Sequence, residues 1–89
     1  MRALAWRDAP AVDALTVADL GDLLDLDVPP EFLLVGTGAA LRQPPRAFVR
    51  ELEGRGIGVE VMDSRAAARA WGVLRAEERW IVAALMPLV

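Results

Sequence analysis

The chain has 89 residues, lacks Cys, His, Lys, Tyr and Asn, and carries ten basic residues, all Arg. It is 55% apolar, but sixteen of those residues are Ala, a composition that suits one compact domain with closely packed helices. Without Cys or His there is no disulfide scaffold, zinc cluster, thiol or imidazole nucleophile, or Ser-His-Asp triad. A net charge of −3 argues against a general nucleic-acid binder, which needs a basic surplus to neutralise phosphates.

In chain order, Arg2 to Arg7 reads as a short strand with Leu4 and Trp6 on one face. Thr16 is placed to cap a helix to about Leu24, with Val17, Leu20, Leu23 and Leu24 as its apolar stripe and Asp19 in the capping-box position. Pro29-Pro30 stops it. Glu31 to Val35 is an unbroken apolar run after its first residue, the pattern of a strand covered on both faces. Gly36-Thr37-Gly38 ends that strand, and Pro44-Pro45 opens a second helix with Phe48, Val49 and Leu52 inward.

Ile57 to Met62 is the next strand. Gly58 and Glu60 alternate with its apolar residues and mark it as an edge, or as a strand left partly uncovered. Asp63-Ser64 reads as the cap of a third helix with the stripe Ala67, Ala70, Trp71 and Leu74. The last strand, Arg79 to Met86, is apolar on both faces and belongs inside the sheet. The whole is α/β, one domain over residues 1–89, and the segment from Glu31 to Met62 has the length of a parallel crossover.

Charge is uneven. Residues 1–41 have a balance of −5 and residues 42–89 one of +2, an asymmetry that fits ordinary surface or a basic face for an acidic partner. The N-terminus has too short an apolar run for a signal peptide. The apolar stretch Trp80 to Val89 is half a membrane span, so neither membrane insertion nor export is expected. A reducing, cytoplasmic setting agrees with the absence of Cys, and Arg-only basicity with abundant Ala looks bacterial.

The Gly36-Thr37-Gly38 turn lies at the carboxyl end of a buried strand, where open α/β sheets bind ligands. Its amides could face a small anion with Arg42, Asp63 and Ser64 nearby; a tight structural turn is the plainer reading. A nucleotide fingerprint fails, because its third glycine would fall at Leu41 and there is no Walker lysine. Asp22, Asp25 and Asp27 lack the central Gly and closing Glu of a calcium loop, and adjacent Glu77 and Glu78 point apart, so no metal, cofactor or catalytic pair is expected. Arg46 and Arg50, and again Arg65 and Arg69, lie at i, i+4 with no acid placed to pair with Arg46 or Arg50, and such rows can grip a partner's carboxylates. Trp6, Trp71 and Trp80 read as core residues whose N–H groups need acceptors.

Leu33 to Gly38, Pro44-Pro45 and Gly56 to Asp63 occur in an order that resembles the Mth-like domain family of unknown function, as does Glu77-Glu78-Arg79 followed by Val82-Ala83-Ala84-Leu85. The match runs from about Thr16 to Leu88. The resemblance implies a layered α/β fold: a small mixed sheet of about four strands, the last one interior and antiparallel, packed by three helices. In the family, Glu-Gly-Arg stands where this chain has Glu77-Glu78-Arg79, Thr follows Asp63 where this chain has Ser64, and a Thr-x-Asn pair stands where it has Ala70 and Gly72. Members also carry a β-rich portion ahead of the Trp that resembles Trp6, so the resemblance implies an uncovered edge here, open to a second copy or another protein. Eukaryotic members include mitochondrial proteins that help assemble respiratory complex I. The implied role is therefore a non-enzymatic, assembly-type protein interaction, with small-anion binding at Gly36 to Gly38 as the alternative.

Overall fold

The computed structural model describes residues 2–88. Four strands, β1 (Arg2–Ala5), β2 (Phe32–Gly36), β3 (Gly58–Met62) and β4 (Ile81–Leu85), form one sheet in the order β1-β4-β2-β3. Helix α1 (Arg46–Gly54) joins β2 to β3, and α2 (Ser64–Ala76) joins β3 to β4. β4 is central, as its two-faced apolarity required, and Ile81, Val82, Ala83 and Ala84 are fully buried.

Every pairing is parallel, so the mixed sheet with an antiparallel last strand is not observed. The reason is α2. Thirteen helical residues span ~20 Å, which carries the chain from the end of β3 back to the start of the sheet. β4 therefore enters at the same end as its neighbours. Alternating burial is the same for either strand direction, so the strand's own pattern could not decide it.

Among the described residues there are two α-helices, not three. The segment expected as the first helix is a single 3-10 turn, Val17–Leu20, preceded by another at Val12–Ala14. Gly21 at φ 58° leaves the helical region and ends the turn. The expected acid does close on the cap: the Thr16 amide and hydroxyl donate to the Asp19 carboxylate at 2.8 and 3.0 Å. Leu20 and Leu23 still reach the core, so the stripe was correctly placed although the helix was not.

The sheet separates two cores. On the α1 side Leu15, Leu20, Leu33, Val35, Phe48 and Leu52 pack with Val82 and Ala84; each buried Leu or Phe contributes roughly 1.5–3 kcal/mol. On the α2 side a smaller group forms around Leu34, Ala67 and Ala83, with Trp71 half-buried against it. Alanine at 67 and 83 permits the close approach of helix to sheet. Trp6 Nε1 donates to the Asp19 carbonyl at 3.3 Å, and Trp80 Nε1 to the Val28 carbonyl at 2.8 Å, pinning the irregular acidic segment beside the sheet.

Two positions in α2 and its exit are poorly matched to their residues. Gly72 is exposed, and a methyl there would meet no atom within 4 Å. Glu78 takes φ 58° just past the helix, where the Arg79 amide donates to the Leu74 carbonyl in a left-handed C-cap usually given to Gly. Gly72→Ala and Glu78→Gly are each expected to raise unfolding stability by about 1 kcal/mol, measured by chemical denaturation.

Candidate functional site

β2 ends at Gly36 because nothing larger fits: a Cβ there would lie 2.9 Å from the Ser64 Cα, its Oγ and a methyl of Leu85. This close approach seats Ser64, which is buried, between the ends of β2 and β4. Its hydroxyl donates to the Met86 carbonyl at 2.7 Å and accepts from the Gly38 amide at 2.8 Å. The Ser64 amide in turn donates to the Gly38 carbonyl at 2.8 Å, and the Met86 amide to Gly36 at 2.9 Å. One side chain thus joins the first residue of α2 to the exits of two strands. The N-cap itself is Asp63, whose carboxylate accepts from the Ala66 amide at 2.9 Å.

The turn's own amides are largely committed. Thr37 donates its amide to Met62 at 2.9 Å, and its buried hydroxyl donates to Ala40 at 2.7 Å while accepting from the Arg42 amide at 3.1 Å. The tight-turn reading is therefore realised in its hydrogen bonds, with the Gly38 φ of 98° completing it.

A cleft of about 860 Å³, open to solvent, lies beside this turn. Three loops close around it: Arg7 to Asp13 after β1, Thr37 to Gln43 after β2, and Met86 to Leu88 after β4. All three follow the carboxyl ends of adjacent parallel strands, the usual ligand position in open α/β sheets. Of the expected ligand set, Thr37, Gly38 and Arg42 line the cleft; Gly36, Asp63 and Ser64 lie behind it as framework. Arg7, Asp8, Asp13 and Gln43 line it too and were not foreseen. Nothing in their spacing announces this, because β1 and β2 become near neighbours only through β4.

The Arg rows do not form one surface. Arg46 and Arg50 are exposed on α1, Arg65 and Arg69 on α2, and the two helices pack on opposite faces of the sheet. None of the four forms an ion pair among the described residues, whereas Arg55 pairs with Glu51 one helical turn away at 3.0 Å. No group of three or more carboxylates is placed to hold a metal among the described residues.

A family model described as "Protein of unknown function (DUF498/DUF598)" matches residues 1–86. The chain belongs to that family. The solution structure of a Bordetella pertussis protein described as a Mth938-like domain superposes with a TM-score of 0.72 at 33% identity, covering 93% of this chain and 66% of that one. An uncharacterised protein of Rhodobacter capsulatus is 39% identical over 70 residues, which are 79% of this chain and 56% of the relative. The NADH dehydrogenase [ubiquinone] 1 alpha subcomplex assembly factor 3 of Danio rerio is 40% identical over 57 residues, 64% of this chain and 33% of that protein. The chain thus spans about half or less of the curated relatives it matches.

Removing the Ser64 hydroxyl would strand a buried amide and carbonyl together. Ser64→Ala is expected to cost about 1–3 kcal/mol, and Gly36→Ala a similar amount through overpacking. Because both act on one contact, the double variant should lose less than the two single losses added together, as read from denaturant midpoints.

Proposed function

We propose that this family member is a non-enzymatic, assembly-type domain that acts in the cytoplasm by binding another protein, with a second copy as one candidate occupant. The observation that carries the reading is the unequal treatment of the two sheet edges. β3 is guarded: Glu60 stands exposed on the face that α2 covers elsewhere, and an edge charge of that kind discourages strand addition. On β1 the one charge, Arg2, lies on the opposite, α1 side, where its guanidinium donates to the Asp22 carbonyl at 3.3 Å, and the α2 side carries none. α2 packs on β2, β4 and β3, and Ala3 and Ala5, which share its side of the sheet, are exposed. A bare edge with small apolar side chains accepts an incoming strand at little steric cost. Similarity to a protein named as an assembly factor supports the same reading, as do the framework roles of Asp63 and Ser64, which leave them poorly free for chemistry. No helix of the described residues is long and apolar enough to cross a membrane, so a partner would be met outside the bilayer by this part of the chain.

A second reading, binding of a small anionic ligand, is favoured by one feature: the cleft brings Arg42 together with Arg7 at the carboxyl ends of three strands.

The edge reading is checked by sedimentation over a wide concentration range and by site-specific photocrosslinking from Ala3. A mass that rises with concentration, or a defined crosslinked protein, either one abolished by Ala5→Lys, is the expected result. A monomer at every concentration that yields no Ala5-dependent crosslink would remove it. Any small-molecule turnover lost in Asp63→Ala would contradict the non-enzymatic assignment.

A further inference from the structure

The cleft between the loops after β1, β2 and β4 has a composition that narrows what it can hold. Its charged groups are Arg7 and Arg42 against Asp8 and Asp13, so its walls are formally neutral. Both Arg side chains are exposed and neither is in an ion pair among the described residues. Ala39 and Ala40 also line it, and among the described residues the amide of neither finds an acceptor. Two guanidinium groups and free loop amides are donors suited to one planar anionic group. The two aspartates would oppose a dianion, which gains from each Arg but is repelled by each Asp. A singly charged carboxylate escapes most of that repulsion.

Apart from Thr37 and Gln43, the rest of the lining is apolar. Ala9, Pro10, Val12, Met86 and Pro87 form the walls, and Leu88 stands 42% exposed at the rim. An apolar side chain so placed has surface to gain from a ligand's hydrocarbon body.

We infer that the cleft binds a monocarboxylate with an apolar body, its carboxylate held by Arg7, Arg42 and the Ala39 and Ala40 amides. Two sources share this chemistry: a free organic acid, and the terminal carboxylate of a polypeptide. The inference rests on the second reading above, that the cleft takes an anion, and names the class of that anion.

The test follows the Ala39 and Ala40 amide resonances of isotope-labelled protein. The probes are hydrocinnamate, its neutral amide, orthophosphate, and an acetylated Ala-Val-Leu peptide with a free or amidated end. Saturable shifts are expected with hydrocinnamate or the free-ended peptide, and whichever binds more tightly identifies the source. Affinity should fall about tenfold in Arg42→Gln and in Arg7→Gln and should rise in Asp8→Asn. These side chains are exposed, so unchanged melting will show that the variants fold. Equal shifts with the neutral amide, shifts unaltered in both Arg variants, or tighter binding of orthophosphate would overturn the assignment. Orthophosphate binding without carboxylate binding would sink the ligand class and spare the anion reading. Silence from every anion would sink both.

Discussion

The hydroxyl of Ser64 holds this fold together at the point where its parts converge. It donates to the carbonyl just past β4, accepts from the amide just past β2, and belongs to the first turn of α2. Gly36 makes the arrangement possible by leaving no room between strand and helix. In a low-dielectric setting these bonds are costly to lose, since both backbone groups would remain buried without water. The consequence reaches outward. With β2, β4 and α2 fastened at one end, the loops that follow the strands have a fixed floor, and the cleft is shaped by where they leave it.

The same economy explains which surfaces remain free. α2 packs over β2, β4 and the end of β3, and the residues around its small core of Leu34, Ala67 and Ala83 include none from β1. β1 is attached through its pairing with β4 and through Leu4 and Trp6 on the opposite, α1 side. Its other face is left with Ala3 and Ala5 in solvent. A domain with a large core on one side and a narrow one on the other has a natural place for something else to pack. The proposed binding role rests on where the fold stops covering itself.

Much of this was legible before the structure. The apolar run within Glu31 to Val35, the two-faced Arg79 to Met86 and the edge marker Glu60 each placed a strand to within two residues at either end, because burial on one or both faces leaves a direct trace in side-chain polarity. The direction of β4 left no such trace in the strand itself. The family resemblance implied an antiparallel strand, and the length of α2 decides for a parallel return. At Val17 to Leu20 the apolar spacing was right, but Gly21 and the Thr16–Asp19 contact shortened a helix to a turn. The cleft was the least visible part. Arg42 was within reach of the glycine turn in sequence, whereas Arg7, Asp8 and Asp13 arrive there through strand order alone.

Residue-resolved hydrogen exchange on the dilute, isolated chain tests the central claim most directly, because it reads the lock and the open edge together. The Gly38 amide is expected to exchange as slowly as the amides of β2 and β4, while the outward amides of β1 exchange nearly as fast as those of an unstructured chain. Protection of β1 equal to that of β4, or a Gly38 amide as labile as that of Ala39, would contradict the claim.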